Sequence, residues 1–84
     1  MDKSLYAYTK LIDAGFKAEM FNCGKQINAR DKNGIIQSFY ISGTIVAHDS
    51  DNNIYSIREK TIEDFMNLLN KPEALNQLIG VCNE

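Results

Sequence analysis

The sequence predicts an α+β domain of order α-β-β-β-α-α, a three-stranded antiparallel meander with its helices packed on one face. Three observations carry this. The run Ile35 to Asp49, IIQSFYISGTIVAHD, is the longest apolar, β-branched stretch of the chain. Turn-forming residues flank it, at Lys32-Asn33-Gly34 and at Asp51-Asn52-Asn53. Helically spaced apolar residues lie outside those turns: Leu5, Tyr8, Leu11 and Ile12 on one side, Ile62, Phe65, Met66 and Leu69 on the other.

Asp2 or Ser4 caps the first helix, and Gly15 followed by Phe16 stops it. Lys17 to Asn22 alternates loosely, with Ala18 and Met20 opposed by Phe21, and reads as a linker or the beginning of the first strand. Strands are expected at about 25 to 31, 35 to 49 and 54 to 58. In the long run, Ile35, Gln37, Phe39, Ile41, Gly43, Ile45 and Ala47 share a mostly apolar face, and the even positions share a mixed one. One strand bent at Gly43 is preferred over a two-residue turn at Ser42-Gly43, which would pair Ile41 with Thr44 and scatter Ile45 and Ala47 to the other side.

Register follows from keeping apolar residues together, because a one-residue slip exchanges the faces. A three-residue loop at Lys32-Asn33-Gly34 pairs Ala29 with Gln37 and Ile27 with Phe39, with Gly34 in the left-handed position. A loop at Asp51-Asn52-Asn53 pairs Ala47 with Ile57 and gives that position to Asn53. Thr61, followed by Glu63 and Asp64, caps a second helix from Ile62 to about Asn70. Pro72 opens a short third helix to Ile79, ending at Gly80, and Val81 to Glu84 fray.

Eighty-four residues make a single domain, 1–84, burying about 60 to 65% of the surface that its unfolded chain would expose. Nine basic and eleven acidic side chains leave a net charge of −2, which implies no bulk attraction to nucleic acid or to anionic membrane. Neither a signal peptide nor a membrane span is read, so a cytoplasmic protein is expected. Cys23 and Cys82 lack Cys-x-x-Cys spacing and are expected as buried or inert thiols.

No motif supplies catalytic chemistry. Asp49-Ser50-Asp51-Asn52-Asn53 opens like a calcium loop, yet Ile54 and Lys60 stand where glycine and glutamate belong, so a hydrogen-bonded turn is expected. His48 is the sole histidine, too few for a metal-hydrolase site beside Asp49. No phosphate-binding glycine loop, Gly-x-Ser-x-Gly or Cys/His cluster occurs, so no cofactor, no metal and no catalytic residue is expected. The even sheet face, centred on Ile36, Tyr40 and Val46 and rimmed by polar residues such as Arg30, His48 and Arg58, is the expected surface for a protein partner or a second copy. Nucleic acid held by Arg30, Tyr40 and Arg58 is the alternative.

The order helix, three antiparallel strands, helix, from roughly Ser4 to Asn70, resembles that of the double-stranded RNA-binding domain. That family carries a lysine cluster at the start of its last helix, where this chain has Arg58-Glu59-Lys60-Thr61-Ile62-Glu63-Asp64. The order is also similar to that of some small phage-encoded anti-CRISPR proteins, inhibitors of bacterial defence nucleases. That likeness implies a small, non-catalytic, phage- or mobile-element-encoded inhibitor of a host enzyme, with no residue motif to transfer.

Overall fold

Alternation along the strands decides which side chains meet, and the layers follow from it. The computed structural model describes residues 2 to 79, with five antiparallel strands in one open sheet in chain order. α1 (Lys3–Asp13) precedes β1 (Ala18–Phe21), β2 (Gln26–Arg30), β3 (Ile36–Tyr40), β4 (Thr44–His48) and β5 (Ile54–Ile57). α2 (Ile62–Asn70), a 3₁₀ turn at Pro72–Ala74 and α3 (Leu75–Leu78) come after them. The fold class is α+β, with five strands rather than three. The expected stop at Gly80 and the fraying of Val81 to Glu84 lie outside the described residues. No described helix is long and apolar enough to cross a membrane.

Two extra strands arise from segments read differently in the sequence. Ile35 to Asp49 is a hairpin, not one bent strand: Phe39 pairs with Ile45 and Tyr40 with Thr44 around Ile41-Ser42-Gly43. A straight strand of that length would span about 50 Å, whereas the longest dimension of the molecule is 40 Å. Gly43 has φ +108°, and its N–H donates to the Tyr40 carbonyl at 2.8 Å. A Cβ there would meet the Lys60 carbonyl oxygen at 3.4 Å, and the Gly43 carbonyl accepts from the Lys60 N–H at 2.8 Å. A three-residue turn preserves parity, so Ile45 and Ala47 stay on the side of Phe39.

The other addition is β1. Asn22 and Cys23 both have positive φ, 56° and 57°, and the Gly24 N–H donates to the Phe21 carbonyl at 3.1 Å, the geometry of a tight hairpin turn. Gly24 itself lies at φ +85°, and a Cβ on it would come within 3.1 Å of Ser4 Oγ. Ser4 is therefore not the cap of α1: its hydroxyl donates to the Gly24 carbonyl at 2.6 Å, and the Asp2 carboxylate caps the helix by accepting from the Ser4 N–H at 2.9 Å.

The β2–β3 register is the expected one, with Ala29 opposite Gln37 and Ile27 opposite Phe39. The β4–β5 turn sits one residue earlier than expected. Ala47 faces Tyr55, Ile45 faces Ile57, and Asn52 rather than Asn53 is left-handed at φ +67°. Asp49 accounts for the shift: Oδ1 accepts from the N–H groups of Asp51 and Asn53, both at 2.9 Å, and Oδ2 accepts from Asn53 Nδ2 at 3.0 Å and from the Tyr55 hydroxyl at 3.1 Å. Parity is again unchanged, so Ile57 remains in the core.

The core lies between one face of the sheet and the helices. Ile27, Ala29, Phe39, Ile45, Ala47 and Ile57 pack with Leu11, Phe65, Leu68 and Leu69, and the rings of Phe39 and Phe65 sit 5.6 Å apart. α2 starts with a reciprocal cap in which Thr61 Oγ1 accepts from the Asp64 N–H and Asp64 Oδ2 accepts from the Thr61 N–H. An ion pair of 3.0 Å, Lys10 to Glu63, joins α1 to α2. Gln37 is 1% exposed on this otherwise apolar face. Its amide nitrogen donates to Asp31 Oδ2 at 3.0 Å and to the His48 carbonyl at 2.8 Å, and its carbonyl accepts from the His48 N–H at 2.6 Å. One side chain thus takes the place of a ladder pair where β3 and β4 diverge, which is how a buried amide is satisfied.

Candidate functional site

The side of the sheet away from the helices is crossed by rows of side chains set by the registers. Its middle row runs over all five strands as Glu19, Asn28, Ser38, Val46 and Ser56. To one side lie Phe21, Gln26, Tyr40 and Thr44, and to the other Arg30 beside Ile36 and His48 beside Ile54. The helices' buried residues all belong to the core on the opposite side, so no described element covers this open face.

Its centre is polar, not apolar. Asn28 Oδ1 accepts from Ser38 Oγ at 2.8 Å and from Gln26 Nε2 at 3.0 Å, and Gln26 Oε1 accepts from Asn22 Nδ2 at 2.7 Å. Ser38 is 6% exposed beneath this cluster. Large apolar side chains sit at the margins instead: Phe21 is 43% exposed, Ile36 41% and Ile54 65%.

Among the six residues singled out in the sequence, Arg30 and Ile36 are brought together as exposed cross-strand partners. His48 is half-buried across from Ile54, with its Nδ1 buried and without a hydrogen-bond partner among the described residues. Val46 and Tyr40 are half-buried in separate rows, each between polar neighbours, and Arg58 lies just past the end of β5. They form a loose arc, not one cluster.

Lys17, Glu19, Phe21 and Ile54, at the margins of the face, were not singled out in the sequence. Lys17, Glu19, Phe21, Asn28, Arg30 and Ile36 line an open hollow of about 350 Å³. Arg30 Nη1 donates to the Gly34 carbonyl at 2.7 Å, which anchors the guanidinium to the β2–β3 loop. Neither Lys17, Arg30 nor Glu19 is ion-paired among the described residues. The alternation Lys17, Glu19, Phe21 against Ala18 and Met20, followed by Asn22-Cys23-Gly24, was the available signal.

Titration is perturbed elsewhere. The Asn53 amide and neighbouring backbone N–H groups hold Asp49 below the usual carboxylate range, and the hydrogen bond that the Tyr55 hydroxyl donates to Asp49 raises that hydroxyl above its ordinary value. Contact with Lys10 lowers Glu63, and Glu63 raises Lys10. A second hollow of about 280 Å³ includes Asp31, His48, Asp49 and Glu73. Both aspartates there accept hydrogen bonds from their own loops, so each holds a turn. Cys23 is exposed in the β1–β2 turn rather than buried, and Cys82 lies outside the described residues.

Searches of protein-family models, of curated proteins and of solved structures found no match for this chain.

Proposed function

We propose that this chain is a non-catalytic binding module that engages a protein partner through the open face of its sheet. The observation that carries the reading is the retention of Phe21, Ile36 and Ile54 as exposed apolar side chains on a face that no described element covers. Surfaces that keep large apolar side chains in solvent beside polar ones are where protein partners dock. Charge supports the choice of partner. The chain is net acidic at −2, but Lys17 and Arg30 line the hollow on this face with one carboxylate, Glu19, and Arg58 lies beside the face. A partner presenting acidic groups around an apolar anchor complements it. The exposed thiol of Cys23 fits a reducing, cytoplasmic setting.

The test is affinity capture from lysate of the cells that express the chain, using wild type and Phe21→Ser/Ile36→Ser. A partner recovered by the wild type and lost with the double variant, at unchanged thermal stability, is the expected result. Equal recovery by both proteins contradicts the reading. A single-stranded nucleic acid is the second reading, favoured by the aromatic ring and two cations that line one hollow. Salt-sensitive binding of a labelled oligonucleotide that is lost with Phe21→Ser would establish it in place of a protein partner.

A further inference from the structure

We propose that β5 pairs with β5 of a second copy, joining two five-stranded sheets into one of ten strands about a two-fold axis. The two edges of the sheet differ. β1, at one edge, carries the charged Glu19 within the strand and Lys17 just before it. β5, at the other, reads Ile54-Tyr55-Ser56-Ile57, with no charge, proline or glycine, and holds the most exposed large apolar side chain of the described residues, Ile54. Edge strands that stay single are blunted by charge, proline or a bulge.

The register of such a pair follows from the turn that precedes β5. The Asp49 N–H donates to the Asn53 carbonyl, and hydrogen-bonded pairs recur at every second residue, so Tyr55 and Ile57 turn their backbone groups toward β4. The N–H and C=O groups of Ile54 and Ser56 then point to the free edge. No hydrogen bond beyond the β4 ladder reaches either residue among those described. An antiparallel second copy satisfies all of them at once when Ile54 faces Ser56 of that copy and Ser56 faces its Ile54. The axis then passes through Tyr55, both open faces lie on the same side, and the two Ile54 side chains become diagonal neighbours about 7 to 8 Å apart.

Charge picks out a second copy as the occupant. β5 is preceded by the exposed Asp51 and followed by the exposed Arg58, neither of them ion-paired among the described residues. An antiparallel pair brings the Arg58 end of one β5 to the Asp51 end of the other, and does so twice. Glu59 does not continue the strand, because it takes φ +59° and the Lys60 N–H turns to the Gly43 carbonyl. The pairing edge is distinct from the hollow, which lies at the β1 side of the sheet.

Sedimentation equilibrium of the purified chain over a wide concentration range tests the pairing. A reversible monomer–dimer equilibrium is expected, and Ile54→Lys should weaken it at least about tenfold. Asp51→Arg and Arg58→Asp should each weaken it as well, and the two together should restore it. Amide exchange at Ile54 and Ser56 should slow in the dimer and speed up on dilution. A chain that stays monomeric throughout, a dimer indifferent to Ile54→Lys, a charge exchange that restores nothing, or free exchange of those two amides in the dimer would each overturn the proposal. Phe21→Ser/Ile36→Ser should leave the dimer intact, and its loss there would move the association to the open face and overturn the edge pairing.

Discussion

The two faces of the sheet are made from alternate residues of the same strands, yet they bury different chemistry. On the core face, Ile27, Phe39, Ile45 and Ile57 are removed from water by α1, α2 and α3, and the buried polar Gln37 has its amide groups engaged, in part by the buried Asp31. On the open face a hydrogen-bonded polar cluster of Gln26, Asn28 and Ser38 holds the centre, and Phe21, Ile36 and Ile54 stay in solvent at the margins. Stability therefore resides on one side, and the residues of the other are free to be chosen for recognition. Parity alone divides them.

Two substitutions within β3 give the sharpest contrast. Phe39→Ala should cost about 3 to 5 kcal/mol in urea unfolding, because Phe39 is buried against Phe65. Ile36→Ser, three residues away on the open face, should change stability by no more than about 0.5 to 1 kcal/mol. Equal losses would break the distinction between the faces. Gln37→Leu ranks next: it strands Asp31 Oδ2 and both backbone groups of His48, for an expected loss of about 1 to 3 kcal/mol by the same measurement. A neutral outcome would mean that the amide is dispensable to the core face.

The smallest expected effect is on pH dependence. Asp49 has a folded pKa below its ordinary value, so its contribution is full above the unfolded carboxyl's pKa and is lost as pH falls through the lowered folded value. Glu63 acts with the same sign through Lys10. Asp49→Asn should therefore flatten, without abolishing, the decline of the urea midpoint between about pH 5 and about pH 2. An unchanged decline would show that the β4–β5 turn contributes nothing to it.

What could be read from the residues depended on how local the signal was. Asn33-Gly34 set the β2–β3 register because a left-handed glycine and the need to keep Ile27 beside Phe39 agreed. Thr61 with Asp64 announced α2 for the same local reason. Gly43 was ambiguous, since a bend and a turn both use a glycine; what excluded the bend was the size of the whole molecule. β1 was obscured because Ala-Glu-Met-Phe has no β-branched residue, and it becomes a strand by pairing with β2. With β1 unread, the hollow lined by Lys17, Glu19 and Phe21 is out of sight, and the sequence centres the face on Ile36, Tyr40 and Val46 instead. Parity places Gln37 on the apolar face, but how its amide is satisfied there could not be foreseen, because its partners come from a loop and from the next strand.

The central claim, that the open face is the docking surface, is tested most directly by hydroxyl-radical footprinting of the free chain and of its complex with the captured partner. Phe21, Ile36 and Ile54 should be oxidised in the free chain, and Phe39 and Phe65 should not. In the complex, Phe21 and Ile36 should become protected. Unchanged oxidation there, with protection appearing at Leu5, Tyr6 and Ile12 on the outer surface of α1 instead, would contradict the account.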